Sequence, residues 1–168
     1  MSIPEAILIP QIGYLTNDSW ELVSALAGPN GWPLLHDADY GGGHLYVLTI
    51  PDNFADLYRL PAPVLNAIRR VVTKDLPVRV DGPANVALFV YDNDTFIVES
   101  FLDEPVEMQL VVKQPGETLE DIQSGERLSG QMIPQGTGLR ADPDGGKHRF
   151  TLKIEPHSYR VLRAAHGG

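Results

Sequence analysis

Two kinds of apolar pattern run along the chain, and the change between them falls near Leu76 and Pro77. In "NVALFVYDNDTFIVESF", Val86, Leu88 and Val90 alternate with Ala87, Phe89 and Tyr91, and neither set is polar. A run apolar on both faces, rich in β-branched and aromatic residues and too short for a helix, predicts a strand inside a packed structure. Phe96 and Val98 resume the alternation after Asp92, Asn93 and Asp94. Asn and Asp tolerate the left-handed backbone of tight hairpins, so this acidic tip reads as a turn. A calcium loop would need six or more oxygen ligands, a central glycine and a closing glutamate, and the stretch does not supply them.

Beyond residue 77 the same reasoning predicts strands over 78–81, 85–91, 95–102, 106–112, 119–122, 149–154 and 158–162. The turn signals "DGP", "YDND", "DEP", "QSGE" and "EPH" stand between several of them. Short strands at near-regular spacing predict two packed antiparallel sheets. The polar, glycine-rich segment 125–147 reads as a long excursion with little regular structure.

The first part mixes periods. In "TNDSWELVSAL", Asp18 followed by Glu21 resembles a capping box, and Gly28-Pro29 is a stop signal, which predicts a short helix. Leu45 to Ile50 is apolar on both faces and reads as a central strand. From Pro61 onward Val64, Leu65, Ile68, Val71 and Val72 recur at helical spacing opposite Asn66, Arg69, Arg70 and Lys74, the pattern of an amphipathic helix. The predicted fold class is therefore α+β: a mainly antiparallel β-sandwich over 77–168, preceded by a small α/β segment over 1–76.

Composition narrows the function. Within 168 residues there are 13 Lys and Arg against 22 Asp and Glu, a formal charge of -9, which makes nucleic acid an unsuitable partner. Cys is absent, which removes disulfides, thiolate nucleophiles and zinc-thiolate sites. The start "MSIPEAILIP" has neither a basic region nor a long apolar run, and no stretch is long enough to span a bilayer, so no membrane partner and a cytoplasmic location are expected.

The closing pattern, "LEDIQSGERLSG" followed by "RFTLKIEPHSYRVLRA", resembles the end of the all-β C-terminal domains appended to glycoside hydrolases. The earlier "YGGGHLYVLTIPDN" and its amphipathic helix are similar to the last strands and helix of the glutamine-amidotransferase-like domain that precedes the small β domain in some β-galactosidase-like proteins. The resemblance implies a non-catalytic accessory or assembly module of a carbohydrate-active protein, with no cofactor. It does not carry over chemistry. The amidotransferase nucleophile is a cysteine, and the glycosidase carboxylates sit on a barrel of ~250 residues.

Two rival readings rest on particular side chains. His36, Asp37, Asp39 and His44 in "HDADYGGGH" form the densest grouping of metal-ligand types, the basis for a small metal-dependent enzyme, although a polar surface connection between strands is the favoured reading, since three glycines weaken any fixed geometry. The glycines there precede a strand, whereas phosphate loops lead into a helix. Trp32 and Tyr40 could stack on sugar rings and make a carbohydrate-binding module. Trp32, between Gly31 and Pro33, is the aromatic least tied to a patterned element, although core or interdomain packing is favoured even for it, whereas Trp20 and Tyr46 fall on patterned elements and read as core. His157 and Ser158, beside a turn and without a glycine elbow, read as backbone-bonding residues rather than catalytic ones. A central strand with so few neighbours leaves apolar surface near Trp20, Trp32 and Tyr46, which predicts docking onto another domain or a second copy of the chain, with an oligosaccharide as a further candidate partner.

Overall fold

The computed structural model describes residues 7–13, 19–27, 30–113, 117–138 and 142–164. The chain forms two compact units, 1–71 and 72–168.

The first unit is built on an antiparallel three-stranded sheet in the order β1 (Ser19–Ala27), β2 (Asn30–Tyr40), β3 (Gly43–Leu48). The helix expected after Asp18 is instead β1, because tertiary pairing overrides a local cap signal: β2 lies in the middle and needs hydrogen-bonding partners on both edges. Asp18 and the Gly28-Pro29 signal lie outside the described residues. Glu21, read as a capping glutamate, instead accepts a hydrogen bond from the Ser24 hydroxyl. The register shifts between Glu21 and Val23 and again between Val23 and Ser24, a bulged edge that obscures the alternation in sequence.

The strand read as central, β3, is an edge, and β2 takes the middle. Gly41 and Gly42 join β2 to β3, with Gly41 at φ 60°, the left-handed backbone such a turn demands of its first central residue. A two-residue turn can only return the chain antiparallel. Every strand pairing among the described residues is antiparallel, so the parallel pairing of an α/β segment is not found there. After a 3-10 turn over Phe54–Arg59, capped by Asn53 Oδ1 accepting from the Ala55 amide at 3.2 Å, the expected amphipathic helix appears as α1 (Ala62–Val72). Val64, Leu65, Ile68 and Val71 are half-buried along it, whereas Val72 is exposed.

The second unit is a sandwich of two antiparallel sheets. The strands are β4 (Val78–Asp81), β5 (Val86–Val90), β6 (Thr95–Ser100), β7 (Val106–Val112), β8 (Thr118–Asp121), β9 (Arg127–Ser129), β10 (Gln131–Met132), β11 (His148–Ile154) and β12 (Tyr159–Ala164). One sheet has the order β10-β11-β7-β4 and the other β5-β6-β12-β8-β9. Their inner faces meet in one core containing Val80, Val98, Leu110, Leu119, Phe150 and Leu162. The acidic tip is the β5–β6 turn: Asp94 adopts φ 58°, and the Tyr91 amide donates to the Thr95 carbonyl at 2.9 Å.

The excursion over 125–147 is more ordered than its composition suggests. It supplies β9 to one sheet and β10 to the other, and the chain crosses between them at Gly130. A Cβ there would come within 2.5 Å of the Phe150 ring, so only glycine lets the backbone lie against that buried side chain. Further on, Ile133 and Asp144 are buried, and the Gly146 amide donates to the Ile133 carbonyl at 2.9 Å.

Candidate functional site

Side chains alternate across a strand, so Asp37 and Asp39 stand on one face of β2 and His36 on the other. The β2–β3 register sets Tyr46 opposite Asp37 and His44 opposite Asp39. His44 Nδ1 lies 3.1 Å from Asp37 Oδ1 and 3.6 Å from Asp39 Oδ1. Three of the four candidate ligands therefore gather, while His36 is buried behind the sheet. The His44 nitrogen faces the carboxylates as a hydrogen-bonding partner rather than converging with them on a common point. Among the described residues no group of three or more His, Asp or Glu could hold a metal ion.

The two aromatic candidates do not form one subsite. Tyr40, beside the glycine turn, is 76% exposed. Trp32 lies eight positions back along β2, roughly 26 Å at the rise of an extended chain. It is partly buried, and lines a pocket of about 120 Å³ with Ile7, Ile9, Pro10 and Ala25.

The aromatic that the sequence concealed is Trp20. Its β1 position pairs with Asp37, which pairs in turn with Tyr46, so Trp20, Asp37 and Tyr46 form one row across three strands. Trp20 is 57% exposed, against the expectation that it is core. His44 extends the row: its ring stacks on Tyr46 with centroids 5.8 Å apart and planes 21° from parallel. The open end of the sheet thus presents an indole, a phenol and an imidazole beside two carboxylates. Only the register reveals this, because Trp20 is far from Asp37 and Tyr46 in sequence.

In the second unit the most perturbed ionisable groups are structural. Arg79, on β4, donates from Nε to Asp81 at 2.8 Å and from Nη2 to Asp144 at 2.6 Å, and Lys147 Nζ donates to Asp144 at 2.6 Å. Burial opposes charge on Asp144, but the hydrogen bonds and charges of Arg79 and Lys147 outweigh it and hold the carboxyl well below the usual carboxylate range. Burial likewise disfavours the Arg79 cation, yet Asp81 and Asp144 raise its pKa further. Asp121 follows the same pattern: burial works against its charge, and Arg160 with the amides of Ser124 and Gln123 lowers it. These clusters tie the excursion to β4 and the β8 turn to β12. His157, at φ 47°, is half of an exposed pair with Asp103 at 2.9 Å, and the Ser158 hydroxyl donates to the Glu155 carbonyl at 2.7 Å.

The outer faces of the sandwich differ in character. On the β10-β11-β7-β4 sheet, β7 and β11 turn Glu107, Gln109, Arg149, Thr151 and Lys153 outward. On the other sheet, Phe89, Ile97 and Val161 make a continuous outward row across β5, β6 and β12, beside Ala87 and Tyr159. Phe89 and Tyr159 are each about half exposed.

By fold, residues 72–168 are an antiparallel β-sandwich module with an apolar row, Phe89, Ile97 and Val161, on one outer face. The family model for "probable glycosyl hydrolase, C-terminal domain" matches residues 77–164, more than half of the chain. The chain belongs to that family, and is thus a module of a glycoside-hydrolase-like protein. No curated protein and no solved structure matches it. Among the described residues no helix is long and apolar enough to cross a membrane.

Proposed function

We propose that the chain is a non-catalytic module, its β domain beginning at Pro77, that holds against another domain of a carbohydrate-active protein through the outer face of the β5-β6-β12-β8-β9 sheet. The row Phe89, Ile97, Val161 carries this reading. Strands of a free-standing sandwich alternate apolar-in and polar-out, and the opposite sheet does so. Here an outward apolar row crosses three adjacent strands, with Glu99 and Arg163 to either side of it, and such a row is the mark of a face that meets another surface.

Separately expressed neighbouring domain, titrated with this chain in a calorimeter, is expected to bind it, and Phe89→Glu or Val161→Glu is expected to abolish binding while leaving the melting temperature near that of the parent. The purified chain is expected to show no turnover of aryl glycosides. Saturable turnover would overturn the non-catalytic reading, and unchanged binding by both Glu variants would overturn the proposed surface.

A further inference from the structure

We infer that the open end of the β1-β2-β3 sheet is a binding platform for a neutral oligosaccharide, with Trp20, Tyr46 and His44 supplying the stacking surface and Asp37 and Asp39 the hydroxyl acceptors. This rests on the proposal that the chain serves a carbohydrate-active protein, and names a surface in the first unit, outside the residues the family model covers.

The chemistry follows from the composition of the row. One face of a pyranose ring is lined by C–H groups and lies flat on an aromatic ring, while its edge carries hydroxyls that donate to carboxylates. An indole left 57% exposed on a strand is available for the first contact. Asp37 and Asp39 stand within the same row and the next, so a ring resting on Trp20 or Tyr46 has an acceptor at its edge. His44 serves twice. It stacks on Tyr46, which holds that ring in place, and its Nδ1 contact at 3.1 Å fixes the Asp37 carboxylate.

Geometry favours an extended sugar over the other ligands such a set could attract. From Trp20 to Tyr46 the row crosses two strand spacings, roughly 10 Å on a flat sheet. A quaternary ammonium is held by aromatic faces that enclose it. A sheet face encloses nothing, but supports a chain of rings laid across it. An apolar protein surface fits less well, because docking there would strip water from Asp37 and Asp39.

The chain contains two tryptophans, Trp20 and Trp32. In a Trp32→Phe background, therefore, the fluorescence of Trp20 reports directly on the platform. The probes are the hexaoses of β-1,4-glucan, β-1,4-xylan, β-1,4-galactan and α-1,4-glucan, each added at millimolar concentration, with tetramethylammonium as the cationic comparison. At least one hexaose is expected to shift the Trp20 emission saturably. In the parent chain, Trp20→Ala and Asp37→Asn are each expected to weaken calorimetric binding of that hexaose by about tenfold or more. Trp20 is exposed while the Asp37 side chain is 17% exposed, and an unchanged circular dichroism melt of each variant shows that the sheet persists. Four silent hexaoses, undiminished binding by Trp20→Ala, or saturation by tetramethylammonium instead of sugar would each overturn the inference. None of these outcomes touches the accessory reading, which fails only on turnover or on loss of the domain contact.

Discussion

Replacing Asp144 with Asn tests how the excursion is held to the sandwich. The Asp144 side chain is 1% exposed and accepts from Arg79 Nη1 at 3.0 Å, Arg79 Nη2 at 2.6 Å and Lys147 Nζ at 2.6 Å. Asn removes the charge and one acceptor but keeps the shape. Taking one partner from a buried ion pair costs roughly 3–5 kcal/mol, because the other charge stays desolvated. Arg79 retains both oxygens of Asp81, at 2.8 and 3.0 Å, and Lys147 can turn toward water, so the low end, about 3 kcal/mol, is expected. For a unit of roughly 100 residues, each kcal/mol moves the melting temperature by about 4–8 °C, so a fall of at least about 12 °C is expected by calorimetry. The acid limb adds a second readout. A carboxyl held below its unfolded value of about 3.9 contributes stability above that pH and loses it as pH falls through the lower folded value. The parent should therefore lose stability progressively below about pH 4, and Asp144→Asn should flatten part of that loss. The triple replacement Arg79→Met, Asp81→Asn and Asp144→Leu should recover part of the deficit, since it leaves neither carboxylate without its cation. A melting temperature for Asp144→Asn within about 2 °C of the parent would show that water already reaches the pair, and would refute the argument.

Other expectations are simpler. Gly130→Ala should cost about 1–3 kcal/mol in chemical denaturation through overpacking against Phe150, and Phe150→Leu should relieve part of that cost when combined with it. Changing Asp92 and Asp94 together to Asn should move stability by no more than about 0.5 kcal/mol and abolish no calcium effect on melting, because the tip acts as a turn and Asn also accepts φ 58°. Deleting all residues after Glu155 removes β12, which pairs with both β6 and β8, so the calorimetric melting transition of the second unit should disappear rather than shift.

The second unit was legible because its burial repeats every second residue. Val78 and Val80, or Phe96 and Val98, announce a strand whatever their partners, and β4 and β7 span the predicted residues 78–81 and 106–112. What escaped has physical causes. Three residues in β9 and two in β10 cannot display a period, and their ordering comes from the crossing at Gly130 rather than from their own pattern. In β1, Asp18 and Glu21 give a local signal for helix, while the pairing that decides the outcome is with residues 30–38, which no local window contains. The exposure of Trp20 escapes the local pattern for the same reason, since it depends on the row to which Asp37 and Tyr46 belong. Of the candidate ligands, Asp37, Asp39 and His44 gather because their spacing is even or spans a tight turn. His36 is one residue out of phase and goes to the other face.

That phase rule also bears on the role of the last strand. In β12, Leu162 points into the core and is fully buried, whereas Tyr159 and Val161 point outward, Val161 opposite Ile97. Arg160, on the inward side, donates to Asp121 and Glu126 at 2.6 Å each and anchors the β8 turn. One short strand therefore closes the core, fixes a neighbouring loop and supplies one end of the apolar outer row. If that row meets another domain, binding and folding are coupled through β12: a partner that binds only the folded sheet stabilises it by mass action, in proportion to the logarithm of its concentration over the dissociation constant. Substitutions on the outward positions should then change affinity without changing the melt of the isolated chain, and substitutions on the inward positions should change both. The separation follows from the two-residue period of the strand, and it distinguishes a docking face from a core that merely continues to the surface.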